Sequence, residues 1–423
     1  MSNSSTSSSA TSIASAVQSR TFANGLTVLV QPMPWLRTAA FSLSLPAGVE
    51  NEPDDRPGLA SLVCEMVQRG AGRYSSRELV AIQDELGIDG SSGTSSRMVS
   101  FGAAMPAESL PTAIGLYADV VRRPHLPADQ LDDARLMAVQ ELRAIEDEPV
   151  SRVMRRLREL HYGDRLGRSA TGTMESLESI TQDDVRGLFA ERYHATDSVL
   201  AVAGNVIPEA VFQLAEETLG DWRSGDVVPP VPATGGPATE HMESSSSQTH
   251  IGFSFDSIPY GHEDYFVMRA GIGILSDGMS SRLFDRVREQ RGLCYTVSAS
   301  CNSLKQAAGV FGYAGTTPAR AQETLDVTLH EIHHLIDDLD PHELERWKVR
   351  IQSSLIMEQE SSSSRASSMA NDWLQLGRVM TLDELETAIE SITLDQVQQY
   401  YRIHRPKNFR LVTSGPHELK INS

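Results

Sequence analysis

What most constrains this chain is that it runs through one pattern twice. In the first half, Val99-Ser100-Phe101-Gly102 leads into a helical run from Leu110 to Val121, then Leu126-Pro127, then a second helix from Leu131 towards Ile145. In the second half, Gly309-Val310-Phe311-Gly312 leads into a run from Ala321 to Leu335, then Leu339-Asp340-Pro341, then a helix from Leu344 through Leu355. Leu131 and Leu142 match Leu344 and Leu355 at one offset, and Phe101 matches Phe311 at a slightly smaller one, a slip that a short loop insertion explains. Such self-similarity marks an ancient duplication, so both halves should fold alike.

Between the halves lies the sharpest break in composition, from Ser224 to Ser247. It holds Val227-Val228-Pro229-Pro230-Val231-Pro232, Gly235-Gly236-Pro237 and four serines in a row, 244–247. A stretch of this kind has little apolar surface to bury and reads as an extended linker. The expected organisation is a disordered Ser-rich tail over 1–19, a first domain over 20–223, the linker over 224–247 and a second domain over 248–423. Alternating strands are expected at Leu26–Val30, Phe41–Leu45 and Ile251–Phe255, with a buried strand at Val199–Ala203. Period-3.6 helices follow them without a regular βαβ rhythm. That mixture predicts two homologous α+β domains, each an antiparallel-rich sheet packed with helices.

Charge narrows the function classes. The net charge of −19, from 37 basic and 56 acidic residues, argues against nucleic acid, whose phosphates need clustered Lys and Arg. Three cysteines, Cys64, Cys294 and Cys301, have no framework spacing and read as reduced thiols in a cytoplasm-like compartment. No basic n-region precedes an apolar h-region, and no apolar run approaches the ~18 residues of a membrane span. A cytoplasmic protein is expected.

Gly58-Leu59-Ala60-Ser61-Leu62-Val63-Cys64-Glu65-Met66, followed by Arg69-Gly70-Ala71, lies on an early amphipathic helix. Further marks are Asn24-Gly25-Leu26-Thr27-Val28, Arg165-Leu166-Gly167-Arg168 with Gly172-Thr173, and Tyr193 with Ala201-Val202-Ala203-Gly204-Asn205-Val206. The most recognisable run is Met279-Ser280-Ser281-Arg282-Leu283-Phe284, then Val287-Arg288-Glu289-Gln290-Arg291-Gly292-Leu293-Cys294-Tyr295. Over roughly residues 20 to 415 the chain resembles the pitrilysin/insulinase-like zinc peptidases, the inverzincins. The resemblance implies the two-domain fold shared by the processing peptidases and pitrilysin.

The departure from that family's pattern falls on its chemistry. The first helix should carry His-x-x-Glu-His, two imidazoles at i and i+4 for zinc and a carboxylate to activate water. Here Ser61 and Glu65 stand at the two His positions and Cys64 at the Glu position. A hydroxyl is neutral and weakly basic, and a thiol near neutral pH is mostly protonated and sets up no base. Glu141 fits the third ligand position, while Ala134 occupies the supporting acidic position seven residues earlier. An altered metal site made of Cys64, Glu65 and Glu141 is the competing reading, and a helix kept for packing with decayed chemistry is the preferred one.

The second half keeps what the first has lost. By the resemblance, Arg288 and Tyr295, seven residues apart, are the pair that reaches the substrate at the zinc in active members. A guanidinium and a phenol can donate hydrogen bonds to a peptide carbonyl and to its developing oxyanion. Taken without that surround, Arg288 reads as a surface ion-pair residue and Tyr295 as a packed strand residue. Some members of this length work as heterodimers, in which an inactive subunit supplies the Arg and Tyr to a zinc-bearing partner around an enclosed chamber. The expectation is therefore a non-catalytic subunit with no cofactor of its own, zinc in the active subunit, and an extended peptide or unfolded polypeptide as substrate. A structural or peptide-binding core-type protein of the same fold is the alternative.

His330-Glu331-Ile332-His333-His334 spells a zincin motif, with His330 and His334 at i and i+4 and Glu331 as base. No metzincin extension follows. Glu358 and Glu360, the candidate third ligands, sit beside a Ser run, and the duplication aligns the segment with ordinary helix at Tyr117–Val121. The apolar stripe Leu325, Leu329, Ile332, Leu335 and Ile336 marks a packed helix. A stand-alone zincin is the third reading, with solvated histidines as the default. Trp222, Trp347 and Trp373 read as core or interface residues, and Met105 and Met137 as packing. Gly271, Gly273 and Gly278 lack the order of a phosphate loop.

Overall fold

The computed structural model describes residues 16–227 and 229–421. They form two units. One comprises the described chain up to Leu142 with Ser169–Pro229 and Leu355–Thr381, the other Arg143–Arg168, Pro230–Ser354 and the described chain from Leu382.

The first unit is built on six strands: β1 (Gln18–Thr21), β2 (Thr27–Pro32), β3 (Thr38–Leu45), β4 (Asp89–Thr94), β5 (Val99–Pro106) and β6 (Val199–Gly204). They lie in the order β1-β2-β6-β3-β5-β4. The second unit has β7 (Ala238–Glu243), β8 (Thr249–Asp256), β9 (Cys294–Ser303), β10 (Ala308–Thr316) and β11 (Arg410–Gly415), in the order β7-β11-β8-β10-β9. Without β1 the two orders coincide strand for strand. So do the directions: β2 runs parallel to β6 as β7 does to β11, and the remaining corresponding pairs are antiparallel. The duplication read from the helical offsets is thus a duplication of topology.

Each sheet is covered on both faces. In the first, Phe41, Leu43 and Leu45 of β3 face a core shared with helices Leu59–Met66 and Leu110–Arg122. The alternate residue Ala40 joins Leu29, Ala201 and Ala203 against Ala366, Met369 and Ala370 of helix Ser362–Leu376. Period-2 alternation sends neighbouring side chains to opposite faces, and alanines on the second face let a helix approach closely.

That helix comes from the far end of the chain, and the exchange is reciprocal. Helix Pro149–Leu166, encoded in the first half, packs on β8 and β11, the counterparts of β3 and β6. Val153 and Leu157 meet Val412 and Phe311 there. Glycines make room: a Cβ on Gly252 would stand 2.5 Å from Val153 Cγ1, and one on Gly309 2.3 Å from His161 Nε2. The expected boundaries at 223 and 248 therefore do not hold, because each half lends one helix to the other half's sheet.

The linker expectation also needs correcting. Residues 238–243 form strand β7, paired in parallel with β11 from Arg410↔Ala238 to Gly415↔Glu243. An edge strand needs little apolar surface when a neighbour supplies its hydrogen bonds. The tail expected over 1–19 falls outside the described residues up to 15, and β1 already begins at Gln18. No helix among the described residues is long and apolar enough to cross a membrane.

Candidate functional site

The helix that should carry the metal chemistry, Leu59–Met66, is well made. Glu52 Oε1 accepts the Gly58 and Ala60 amides at 3.1 and 2.8 Å, which satisfies donors that a helix start leaves open. Leu59, Leu62, Val63 and Met66 are buried. Ser61 and Glu65, one turn apart, share the partly exposed face, as the sequence spacing requires.

The side chains on that helix do not suit zinc. Cys64 is 4% exposed, and burial pushes its thiol up to about 11, with the Ser92 and Thr94 hydroxyls pulling the other way. Glu65 is engaged by Arg69, whose Nε donates to Oε1 at 3.1 Å and whose Nη2 stands 3.0 Å from the same oxygen. Glu141 is exposed on helix Leu131–Asp147, and Ala134 is buried beneath it. Among the described residues no three His, Cys, Asp or Glu side chains group closely enough to hold a metal ion. The two imidazoles of the family's motif are missing, Glu65 is held by Arg69, and Cys64, Glu65 and Glu141 do not come together as a ligand set among the described residues. Met137, expected as packing, is 54% exposed and receives Arg69 Nη2 at 3.2 Å from its sulfur.

In the second unit Arg288 and Tyr295 do come together. Arg288 lies on a π-helical segment, Leu283–Glu289, and Tyr295 near the start of β9. The Arg288 guanidinium sits 4.5 Å from the Phe284 ring centroid and 5.5 Å from that of Tyr295. Stacking on two rings restricts a long side chain without occupying its donors, and the one nearby acid, Glu289, is 3.4 Å from Nε. Tyr295 is 82% exposed, so the packed-strand reading does not describe it. Beneath the pair, burial pushes the Cys294 thiol up to about 11 against the opposing pull of Arg288.

What fixes this segment was not read from the sequence. Arg282, 2% exposed, uses all five N–H groups. Nε donates to Glu343 Oε1, Nη1 to Leu335 O and Asp338 Oδ1, and Nη2 to Asp338 O and Glu343 Oε2, all at 2.7–2.9 Å. Arg286 donates to Glu331 Oε2 at 2.8 Å and to Asp338 Oδ2 at 2.7 Å. The signal was two arginines four apart, facing a later acidic loop. A π-helical turn is uncommon and often marks a functional position.

The zincin spelling does not assemble. His330 and His334 are exposed and stack with ring centroids 4.0 Å apart, and His334 Nδ1 lies 2.9 Å from His330 O. Glu331 is buried on Arg286, away from any place where a base could serve those two rings. Glu358 and Glu360 belong to the other unit. Trp222 and Trp347 are buried, and Trp373 packs against the cluster beneath helix Ser362–Leu376.

Comparison with known proteins identifies the family and the fold. Residues 27–174 match the model of the insulinase family, peptidase family M16, and residues 179–350 match the peptidase M16 inactive domain. An uncharacterized zinc protease of Bacillus subtilis, YmxG, is 27% identical over 403 residues, covering 93% of this chain and 97% of that protein. A second, from Streptomyces coelicolor, is 25% identical over 412 residues, covering 95% and 90%. Among solved structures, a peptidase M16 inactive domain from Pseudomonas fluorescens aligns with TM-score 0.86 at 22% identity, covering 96% of this chain and all of that one. A protease from Helicobacter pylori also reaches TM-score 0.86, at 18% identity and with 95% and 99% covered. At these identities the structures speak for the fold.

Proposed function

This chain belongs to the insulinase-like peptidases of family M16, and from that premise we propose that it is the non-catalytic subunit of a two-chain zinc endopeptidase. One observation carries the reading. The partly buried Arg288 and the exposed Tyr295 come together as a donor pair in the second unit, while Ser61, Cys64 and Glu65 stand where the family's two imidazoles and base belong. The metal would reside in a partner of the same family that keeps His-x-x-Glu-His.

In this reading the chain's residues bind and orient. The Arg288 guanidinium, held over Phe284 and Tyr295, would donate to the carbonyl oxygen of the bound peptide and hold the charge that develops on it. The Tyr295 hydroxyl would supply a second donor. An extended peptide would be gripped by adding a strand to a sheet edge, which gives affinity with little sequence preference. Three free thiols suit a reducing compartment, and the cytoplasm is the proposed location.

The test is reconstitution with the His-x-x-Glu-His chain of the same organism. The mixture should cleave an unfolded polypeptide while this chain alone does not, and Arg288→Ala should lower turnover by about a hundredfold. Full turnover with Arg288→Ala, or chelator-sensitive cleavage by the chain alone, overturns the proposal. Peptide binding without turnover in any mixture would favour a binding or structural protein of the same fold.

A further inference from the structure

The second unit contains a cavity of about 610 Å³ between helix Tyr265–Ser276, the 277–281 loop and helix Pro341–Glu358. In the duplicated topology these two helices are the counterparts of Leu59–Met66 and Leu131–Asp147, the pair that frames the altered motif of the first unit. Trp347 occupies the place that Ala134 takes there. The cavity is therefore the second unit's version of the site position, with different chemistry in it.

Its lining is mixed, with four apolar side chains, ion-paired acids and a cationic edge. Ile274 and the buried Trp347 lie on one side, and Met279 and Val349, 79% and 60% exposed, line the rim. Every acid of the lining has a cation of its own. Asp277 pairs with Arg269 at 2.8 Å, Glu343 with Arg282 at 2.7 Å, and Glu345 with Lys348 at 3.3 Å. Arg346 and Arg350, one turn apart on the same helix, have neither an ion pair nor a side-chain hydrogen bond among the described residues. Arg350 comes so near Gly278 (φ +95°) that a Cβ there would lie 2.7 Å from its Nη1. Two uncompensated guanidiniums beside an apolar hollow are notable on a chain of net charge −19, where an unbound cation has many acids available.

We propose that this cavity binds the C-terminal end of a peptide, with the terminal carboxylate on Arg346 and Arg350 and an apolar last side chain against Ile274, Trp347 and Met279. A carboxylate matches the forked donors of two arginines, and the volume admits one or two residues. The inference stands apart from the proposed role as an inactive subunit, since it concerns this chain with no partner present.

The experiment uses the full chain and a fluorescein-labelled hexapeptide ending in phenylalanine, followed by anisotropy. The free carboxylate should bind at least about tenfold more tightly than the same peptide amidated, the difference one charge-assisted hydrogen-bond pair supports. The double variant Arg346→Gln/Arg350→Gln should abolish that preference with an unchanged melting temperature, because neither side chain has a partner to lose. Met279→Glu, at an exposed rim position, should weaken the acid form more than the amide. Equal binding of acid and amide, or a preference retained in the double variant, overturns the proposal. So does competition by N-acetylphenylalanine at the peptide's own concentration, which would make the ligand a small apolar acid.

Discussion

Arg286 Nη1 donates to Glu331 Oε2 at 2.8 Å, and that bond takes the glutamate of the His-Glu-x-x-His spelling out of any metal chemistry. Glu331 is 4% exposed, so water cannot replace the partner it would lose. Arg286→Met should cost about 3 kcal/mol in denaturant unfolding, as expected when a buried carboxylate loses its cation. His330→Ala/His334→Ala should change stability by less than about 0.5 kcal/mol, the range of exposed substitutions. If the histidine variant loses bound metal or activity, Glu331 has been misassigned.

Thiol chemistry should be nearly silent in the folded protein. Burial holds Cys64, Cys294 and Cys301 each at about 11, above the ordinary thiol value of 9.0. At pH 8 a shift of that size lowers the thiolate fraction by about a hundredfold, and the rate of reaction with a disulfide reagent falls with it. Three thiols should react promptly in denaturant and almost none without it. A fast native thiol at pH 8 would contradict the placement.

Acid should weaken the fold partly through His161. Its ring is 4% exposed, between Ser254 Oγ at 3.0 Å and Ala308 O at 3.4 Å. Burial first, then the neighbouring Arg410, lower its pKa to about 4 from 6.5. The unfolded chain therefore takes up the proton first. The stability that neutral His161 provides is full above pH 6.5 and is lost as pH falls towards 4, about 3 kcal/mol in all. His161→Gln should flatten the unfolding profile by that amount between pH 7 and 4, and an unchanged slope would place the effect elsewhere.

The exchanged helix gives a packing test. A Cβ on Gly309 would stand 2.3 Å from His161 Nε2, on a ring already fixed by two hydrogen bonds. Gly309→Val should destabilise by about 2–3 kcal/mol through overpacking. Gly93→Ala, where an added Cβ meets no atom within 4 Å, should cost less than about 1 kcal/mol. Thermal melts of the two variants separate crowding at the helix from a general loss of glycine.

Much of the site was legible in residue types alone. Ser61, Cys64 and Glu65 stand on one short helix whatever surrounds it, and no packing puts back the two imidazoles that the family's motif places at 61 and 65. The spacing of Arg288 and Tyr295 named the pair, but the π-helical turn and Phe284 that bring guanidinium and phenol within 5.5 Å were not visible. The same holds for Arg282 and Arg286, whose acids lie about fifty residues further on.

The sequence by itself determined that the chain makes two alike α+β halves, because alternation and helical periodicity are local and were written twice. It also determined the loss of the metal motif. Only the tertiary structure decided which sheet each helix covers. The stripe of Val153 and Leu157 says that one face of helix Pro149–Leu166 must be buried, yet nothing local says that Gly252 and Gly309, from the other half, leave the space for it. Strand β7 is the same case. The segment 238–243 brings only Met242 to a core cluster, too little to announce a strand, and it becomes one because β11, far along the chain, offers it a row of backbone partners.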